Sequence, residues 1–132
     1  MPTELVSKAV TAFAMVLAVL GLLLLFAAED VSGLLGPEPT KHALVQLLGA
    51  ALLGFAAMNW IARGSVLGGI YGRAVVAGNQ THLTVGAILL FKHGFDTPDT
   101  PSWLWALAVL YALGAGYFSY LTFFRAGIEK PS

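Results

Sequence analysis

The third apolar block of the chain holds a histidine with the spacing that a ring ligand needs. His82 has one glycine four residues before it, Gly78, and another four residues after it, Gly86. On a helix, residues four apart lie on the same face, so the two glycines would leave room beside the imidazole for a flat macrocycle. Three interpretations stay open: a hydrogen bond between helices, a polar group in a lipid or quinone pocket, and a tetrapyrrole ligand.

A second set of polar residues falls at one depth of the predicted helices. With a rise of 1.5 Å per residue, Asn59, Arg73 and Tyr120 each lie about 10 Å from the middle of their apolar blocks, toward the same membrane surface. An arginine there could hold a lipid phosphate or a quinone carbonyl, or its side chain could extend to the headgroups and bind nothing. The predicted cofactor-binding residues are His82, Gly78, Gly86, Arg73, Asn79, Asn59, Tyr117 and Tyr120.

The acidic residues do not converge on a site, as catalytic groups would have to. All seven lie in predicted loops or near the termini: Glu4, Glu29, Asp30, Glu38, Asp96, Asp99 and Glu129. A proton-coupled exporter usually carries its proton on a carboxylate within a span, so the pattern disfavours that function. The chain has no cysteine, which excludes a disulfide, a thiol nucleophile and a Cys-zinc site. We therefore expect no catalytic residue, no metal site and no enzymatic activity.

Four apolar blocks carry these residues, and each is long enough to cross about 30 Å of hydrocarbon as a helix. The blocks are residues 9–28, 43–62, 70–91 and 103–124. Of the 132 residues, 58% are hydrophobic and 11% charged, well below the charged fraction of a soluble domain. Because lipid offers no partner for backbone groups, each block must be helical. The sequence predicts an all-α integral membrane protein, with residues 1–132 forming a single bundle of four transmembrane helices.

Local signals predict where the helices end and how they touch. Thr40 is predicted to cap the second long helix, Gly94 to end the third, and Thr100 to cap the fourth, with Pro101 in its first turn. Two stripes of small residues at four-residue steps are predicted to let helices approach closely. The stripes are Gly64, Gly68 and Gly72, and Ala108, Ala112 and Gly116.

The distribution of charge predicts the orientation. Seven basic and seven acidic residues give a formal net charge of zero, which leaves no basic surface for nucleic acid. Cations flank the two ends of the chain and the short turn between the second and third blocks: Lys8, Arg63, Arg73, Arg125 and Lys130. Because positive residues stay on the cytoplasmic side, we expect both termini and the short turn in the cytoplasm.

The third block differs from the others because polar residues fall on two opposed faces of its helix. At 100° per residue, Arg73 and Gln80 lie opposite His82. Polar groups that face lipid are costly, so either protein surrounds this helix, or the Arg73 side chain extends toward the inner surface and Gln80 finds a partner elsewhere. The first alternative predicts a homo-oligomer or a larger complex with the third helix at the contact.

The layout resembles that of DoxX-like proteins, small bacterial membrane proteins with four spans. The resemblance covers the whole chain and consists of its length, the predicted cytoplasmic termini and the short inner turn. Around that turn, residues 58–64 and 68–73 match no motif of known function, so the resemblance implies no catalytic residue.

We therefore expect a non-enzymatic accessory or structural subunit of a larger membrane complex, or a homo-oligomer packed through the third helix. Its expected partners are membrane lipids and other membrane subunits or a second copy of the chain, and not nucleic acid. Two alternatives stay open. One is a binder of a lipophilic cofactor, a quinone, lipid or tetrapyrrole, near Arg73 and His82. The other is an oligomeric channel or small transporter lined by the third helix.

Overall fold

The computed structural model describes residues 3–34, 39–65 and 68–125, and these residues are helical apart from short turns, with no strand among them. The helices are α1 (Thr3–Phe26), α2 (Ala28–Leu34), α3 (Pro39–Ala62), α4 (Gly69–Asp96) and α5 (Ser102–Tyr120), and a π-helical segment, Leu121–Arg125, continues α5. Four stretches are long and apolar enough to cross a membrane: Thr3–Phe26, Lys41–Ala62, Gly69–Asp96 and Ser102–Phe124. The predicted all-α fold with four such helices is confirmed.

The chain divides into two compact units, Met1–Gly64 and Ser65–Ser132. In the first unit α1 packs along α3, and the short α2 packs mainly against α3. In the second unit α4 packs along α5, and the π-helical segment contacts both. Each unit is therefore a helical hairpin, called here the first hairpin and the second hairpin.

The first hairpin is packed through a narrow stripe of α1. The buried residues of α1 recur at steps of three or four, the spacing that keeps one face of a helix against a partner: Val6, Val10, Ala14, Leu17 and Gly21. The closest approach lies at Gly21 and Gly49. A Cβ on Gly49 would lie 2.8 Å from the carbonyl oxygen of Gly21, and a Cβ on Gly21 would lie 2.9 Å from the carbonyl oxygen of Gly49. The two backbones meet here, and only glycine permits that distance.

The second hairpin is antiparallel, and side chains of one helix lie on glycines of the other. A Cβ on Gly94 would lie 2.9 Å from the ring of Trp105, and a Cβ on Gly114 would lie 3.0 Å from Leu83 Cδ1. The ring of Trp105 also lies 5.0 Å from that of Phe95 in an edge-to-face arrangement, which closes the end of the hairpin near its loop.

Several predicted helix ends are wrong by a few residues. Helix α4 continues past Gly94 to Asp96, because Gly94 is buried under Trp105 and serves as a contact point rather than as a terminator. The ion pair between Lys92 and Asp96, with 2.9 Å between Nζ and Oδ2, lies in the last turn.

The two predicted threonine caps are also wrong. Helix α3 begins at Pro39, so Thr40 lies inside it. Pro101 is the N-cap of α5, while Thr100 Oγ1 donates to the carbonyl of Thr97 at 2.7 Å and to that of Gly94 at 3.2 Å. The Thr100 hydroxyl thus ties the loop back to the end of α4 and does not cap α5.

The predicted small-residue stripes hold only in part. Gly72 and Ala108 are buried at the contact of their hairpin. Ala112 and Gly116 are exposed, and a Cβ on Gly116 or on Gly64 would meet nothing within 4 Å. The close helix contacts form instead at Gly21, Gly49, Gly86, Gly94 and Gly114.

Candidate functional site

The imidazole of His82 bonds to a tyrosine of the neighbouring helix. Tyr111 Oη lies 3.3 Å from His82 Nε2, and the tautomer of the imidazole decides which of the two donates. The two ring centroids are 5.5 Å apart with the planes tilted by 56°. Of the three interpretations of His82, the second hairpin supports a hydrogen bond between helices, because Tyr111 supplies the partner.

The space that Gly86 leaves beside His82 holds the ring of Tyr111. A Cβ on Gly86 would lie 2.5 Å from two atoms of that ring. A macrocycle bound to His82 would need the same space on the Gly86 side, so it could bind there only after Tyr111 had moved. Gly78, the other predicted flanking residue, is half-buried.

The side chain of Gln80 is also bonded within the second hairpin. Its Nε2 donates to Ser119 Oγ at 3.3 Å. Thr122 Oγ1 lies 2.9 Å from both Gln80 Oε1 and the carbonyl oxygen of Phe118, so its single proton is shared between two acceptors. This polar cluster links α4 to the end of α5 and to the first turn of the π-helical segment.

The two polar faces predicted for this helix flank one buried stripe. The buried residues of α4 include Asn79 and Leu83. At 100° per residue, His82 lies about 100° to one side of Leu83 and Gln80 about 60° to the other. Helix α5 can therefore bond to both side chains. The amide of Gln80 finds its partners inside the hairpin.

Two asparagines are fully buried, one in each hairpin. Asn59 and Asn79 both have 0% of their surface exposed. Asn59 Nδ2 donates to the carbonyl of Phe55 at 2.8 Å, and Asn79 Nδ2 donates to that of Val75 at 2.9 Å. Each amide thus bonds to the preceding turn of its own helix, which lowers the cost of burying it.

The remaining predicted residues differ in their surroundings. Arg73 is exposed on α4, and Tyr120 is 40% exposed with its ring stacked on Phe124 at 5.8 Å between centroids. The hydroxyl oxygen of Tyr117 is buried and makes no hydrogen bond to the described residues.

The second hairpin brings some of the predicted residues together and keeps others apart. His82 and Gly86 share the ring of Tyr111. Arg73 lies seven residues, about 10 Å, before Gln80 on α4, whereas Tyr120 is one residue past Ser119, the partner of Gln80. Arg73 and Tyr120 therefore do not share a layer of this hairpin. Asn59 belongs to the first hairpin, where it lies near the end of α3.

Three partners were not predicted from the sequence: Tyr111 and Ser119 on α5, and Thr122 in the π-helical segment. A signal for them exists. In an antiparallel hairpin with a short loop, paired positions lie equally far from the loop, so counting outward from residues 97–101 places Gln80 within a residue of Ser119. This count could have identified polar residues of α5 at the matching depth as hydrogen-bond partners of Gln80.

Comparison with known proteins gives no further assignment. The chain matches no protein-family model, no curated protein and no solved structure. Among the described residues, no group of three or more His, Asp and Glu side chains is placed to hold a metal ion. The candidate site is therefore defined by its geometry: His82 and Gln80 of α4 bond to side chains of α5 and of the π-helical segment.

Proposed function

We propose that this chain is a four-span protein of a bacterial inner membrane, with both termini cytoplasmic. In this proposal it acts without catalysis as an accessory subunit of a larger membrane assembly or as a homo-oligomer, and the outward face of α4 forms the contact. The DoxX-like layout is consistent with such a small membrane subunit.

The observation that carries the proposal is the composition of that outward face. Helix α4 exposes Ala77, Thr81 and Thr84 in successive turns. Neither threonine hydroxyl bonds to a described residue. This small and hydroxyl-bearing part of the face ends at Thr84, because α4 exposes the large apolar side chains of Ile88 and Leu89 in the next turn. On α1, large apolar side chains such as Val19 and Leu23 are exposed, at 57% and 54%.

Small and hydroxyl-bearing residues are the ones that let helices approach and bond to one another in lipid. A hydroxyl that faces lipid can bond only to a carbonyl of its own helix, whereas a neighbouring helix offers further partners. Because Gln80 is already bonded to Ser119 and Thr122, the argument for a contact rests on this threonine face rather than on Gln80.

Disulfide crosslinking tests the contact directly, since the natural chain has no cysteine. We expect Thr84→Cys to crosslink in native membranes, to a second copy or to another membrane protein. The matched control is Val19→Cys on the apolar face of α1, which should stay monomeric. If Thr84→Cys is monomeric and is labelled by a lipid-phase maleimide as readily as Val19→Cys, the contact does not exist.

Cysteine labelling from one side of the membrane tests the orientation separately. In intact spheroplasts, an impermeant maleimide should react with Asp99→Cys in the loop before α5 and spare Gly64→Cys in the turn after α3. The reverse pattern would overturn the predicted topology. Extraction of the chain by alkaline carbonate would overturn membrane insertion itself.

A second candidate function, binding of a lipophilic cofactor in the second hairpin, is favoured by the hydroxyl of Tyr117. A buried hydroxyl without a partner is costly in an apolar surrounding, and this one bonds to no described residue. A quinone carbonyl oxygen would accept a hydrogen bond from this hydroxyl.

Organic extraction of protein purified in mild detergent tests this candidate. We expect a quinone in the extract, present in lower amount from Tyr117→Phe and unchanged in Tyr71→Phe, where the tyrosine is 87% exposed. Equal recovery from both variants would remove the candidate. An absorbance band near that of a haem would favour a tetrapyrrole instead.

A further inference from the structure

The first hairpin carries an apolar groove along one side. Its volume is about 550 Å³. Small side chains of α1 and α3 leave the space, and larger ones bound it; the lining includes Ala14, Ala18, Ala57, Met15, Trp60 and Ile61. The groove is open at the surface of the hairpin, so its occupant would enter from the surrounding phase.

The positively charged side chain of Arg63 lies beside one end of this groove. The guanidinium of Arg63 lies over the ring of Trp60, 4.1 Å from its centroid, and Arg63 Nη1 donates to the carbonyl oxygen of Trp60. The aromatic face and the carbonyl keep the positive charge beside the wall of the groove. The other guanidinium nitrogens bond to none of the described residues and can donate to an anion.

The length of the groove matches one leaflet of a bilayer. Along α3 its lining extends from Leu53 to Ile61, a separation of eight residue steps or about 12 Å. Half of the hydrocarbon core measures about 15 Å. Arg63 follows two residues beyond Ile61, so its charge lies where the headgroups would begin.

We propose that this groove binds one acyl chain of an anionic phospholipid whose phosphate accepts hydrogen bonds from Arg63. The site rests on the proposed membrane insertion and is separate from the second hairpin, where the cofactor candidate lies. Lys8 lies at the same end, because α1 and α3 run antiparallel, but its Nζ is 3.5 Å from Glu4 Oε1 and that carboxylate balances its charge. The headgroup contact is therefore assigned to Arg63 alone. A partner helix could fill the groove, but it would supply no anion for Arg63, whereas the phospholipid satisfies both parts of the site.

Native mass spectrometry of the full chain, released from nanodiscs of equal parts phosphatidylglycerol and phosphatidylcholine, tests the site. We expect one retained phosphatidylglycerol. Ala57→Leu should abolish the retention because the added side chain fills the groove. The matched control is Ala51→Leu, an exposed alanine of α3 outside the lining, and it should retain the lipid.

A separate variant tests the contact between Arg63 and the lipid headgroup. Arg63→Gln should lower the ratio of retained phosphatidylglycerol to phosphatidylcholine about five-fold, the effect expected of one basic residue at an anionic surface. Lys92→Gln, an exposed lysine of α4, should leave the ratio unchanged.

Three results would overturn the proposal: lipid retention by Ala57→Leu equal to that of Ala51→Leu, an unchanged lipid ratio in Arg63→Gln, or a second copy of the chain occupying the groove. If Ala57→Leu does not fold, the ratio in Arg63→Gln decides alone. Loss of the lipid site with the cysteine topology intact would leave the proposed function standing, whereas failed insertion would remove both.

Discussion

The two hairpins are held together by different kinds of contact between their helices. In the first, the backbones of α1 and α3 meet at Gly21 and Gly49, and the neighbouring contacts are apolar. In the second, glycines of the hairpin receive side chains from the opposite helix, and polar pairs lie on both sides of the buried stripe. In lipid, burial of apolar surface does not by itself hold helices together, so close contact and hydrogen bonds must do so.

This difference indicates where substitutions can be tolerated. A backbone-to-backbone contact cannot be relieved by altering one side chain, because neither partner can be made smaller than glycine. A clash between a ring and a larger residue at the glycine position can be relieved, because a second substitution can remove the ring. The first hairpin should therefore be intolerant at its crossing point, and the second should show compensation.

The largest expected effect is at the crossing point of the first hairpin. Gly49→Ala places a Cβ 2.8 Å from the Gly21 carbonyl oxygen and 3.1 Å from the backbone nitrogen of Leu25. We expect a loss of about 3 kcal/mol in the free energy of unfolding, as for overpacking against groups that cannot move. SDS titration in detergent micelles, followed by circular dichroism and tryptophan fluorescence, measures it.

Gly54→Ala is the matched control on the same helix. A Cβ there meets nothing within 4 Å, and alanine favours the helix over glycine, so this variant should be as stable as the natural chain or more stable. A Gly49→Ala protein as stable as Gly54→Ala would contradict the backbone contact.

The second effect tests compensation. Gly86→Ala should cost about 2 kcal/mol, because its Cβ would lie 2.5 Å from the ring of Tyr111. Adding Tyr111→Leu removes the ring, so the double variant should be more stable than Gly86→Ala alone. The same titration, followed by the fluorescence of Trp103 and Trp105, measures both. Additive losses would mean that the ring does not lie on Gly86.

The third effect concerns the polar cluster at Gln80. Gln80→Leu removes the bonds to Ser119 and Thr122, and we expect a loss of about 1 kcal/mol, the upper range for hydrogen bonds between helices in lipid. A double-mutant cycle with Thr122→Val should show coupling of more than about 0.5 kcal/mol. Thr122→Ser, which keeps the hydroxyl, should retain most of the coupling; zero coupling in the cycle would contradict the pair.

The smallest effect is at the single bond between Tyr111 and His82. Tyr111→Phe keeps the ring on Gly86 and removes only the hydroxyl, so we expect a loss of about 0.6 kcal/mol. The control is Tyr71→Phe, at an exposed tyrosine. A loss as large as that of Gly49→Ala would mean that the hydroxyl, not the ring, holds this hairpin, and the contrast between the two hairpins would fail.

Much of the fold could be predicted because hydrophobic length is a property of the chain alone. Four apolar blocks become four helices wherever backbone groups lack water, and the last three were placed nearly correctly in their middles. The first was less accurate, because its helix is Thr3–Phe26 where residues 9–28 were predicted. The ends were less accurate. Gly94 looks like a terminator in sequence, and only the presence of Trp105 shows that it is a contact.

The sequence indicated which residues of α4 belong to the candidate site, but not which side chains bond to them. The sequence singled out His82, Gly86 and Gln80 as unusual, since polar and glycine residues in an apolar helix carry a cost. It treated Gly86 as space for a ligand, and the ring that fills the space comes from Tyr111, twenty-five residues further along.

The sequence by itself determined that the chain is helical, that four helices can cross a membrane, and that polar residues concentrate on α4. These follow from composition and local spacing. Only the tertiary structure decided which glycines lie at contacts and which polar groups bond to one another. Those contacts depend on the rotation and register of one helix against another, and residues such as Gly49 and Gly116 look alike in sequence until a neighbouring helix lies beside one of them.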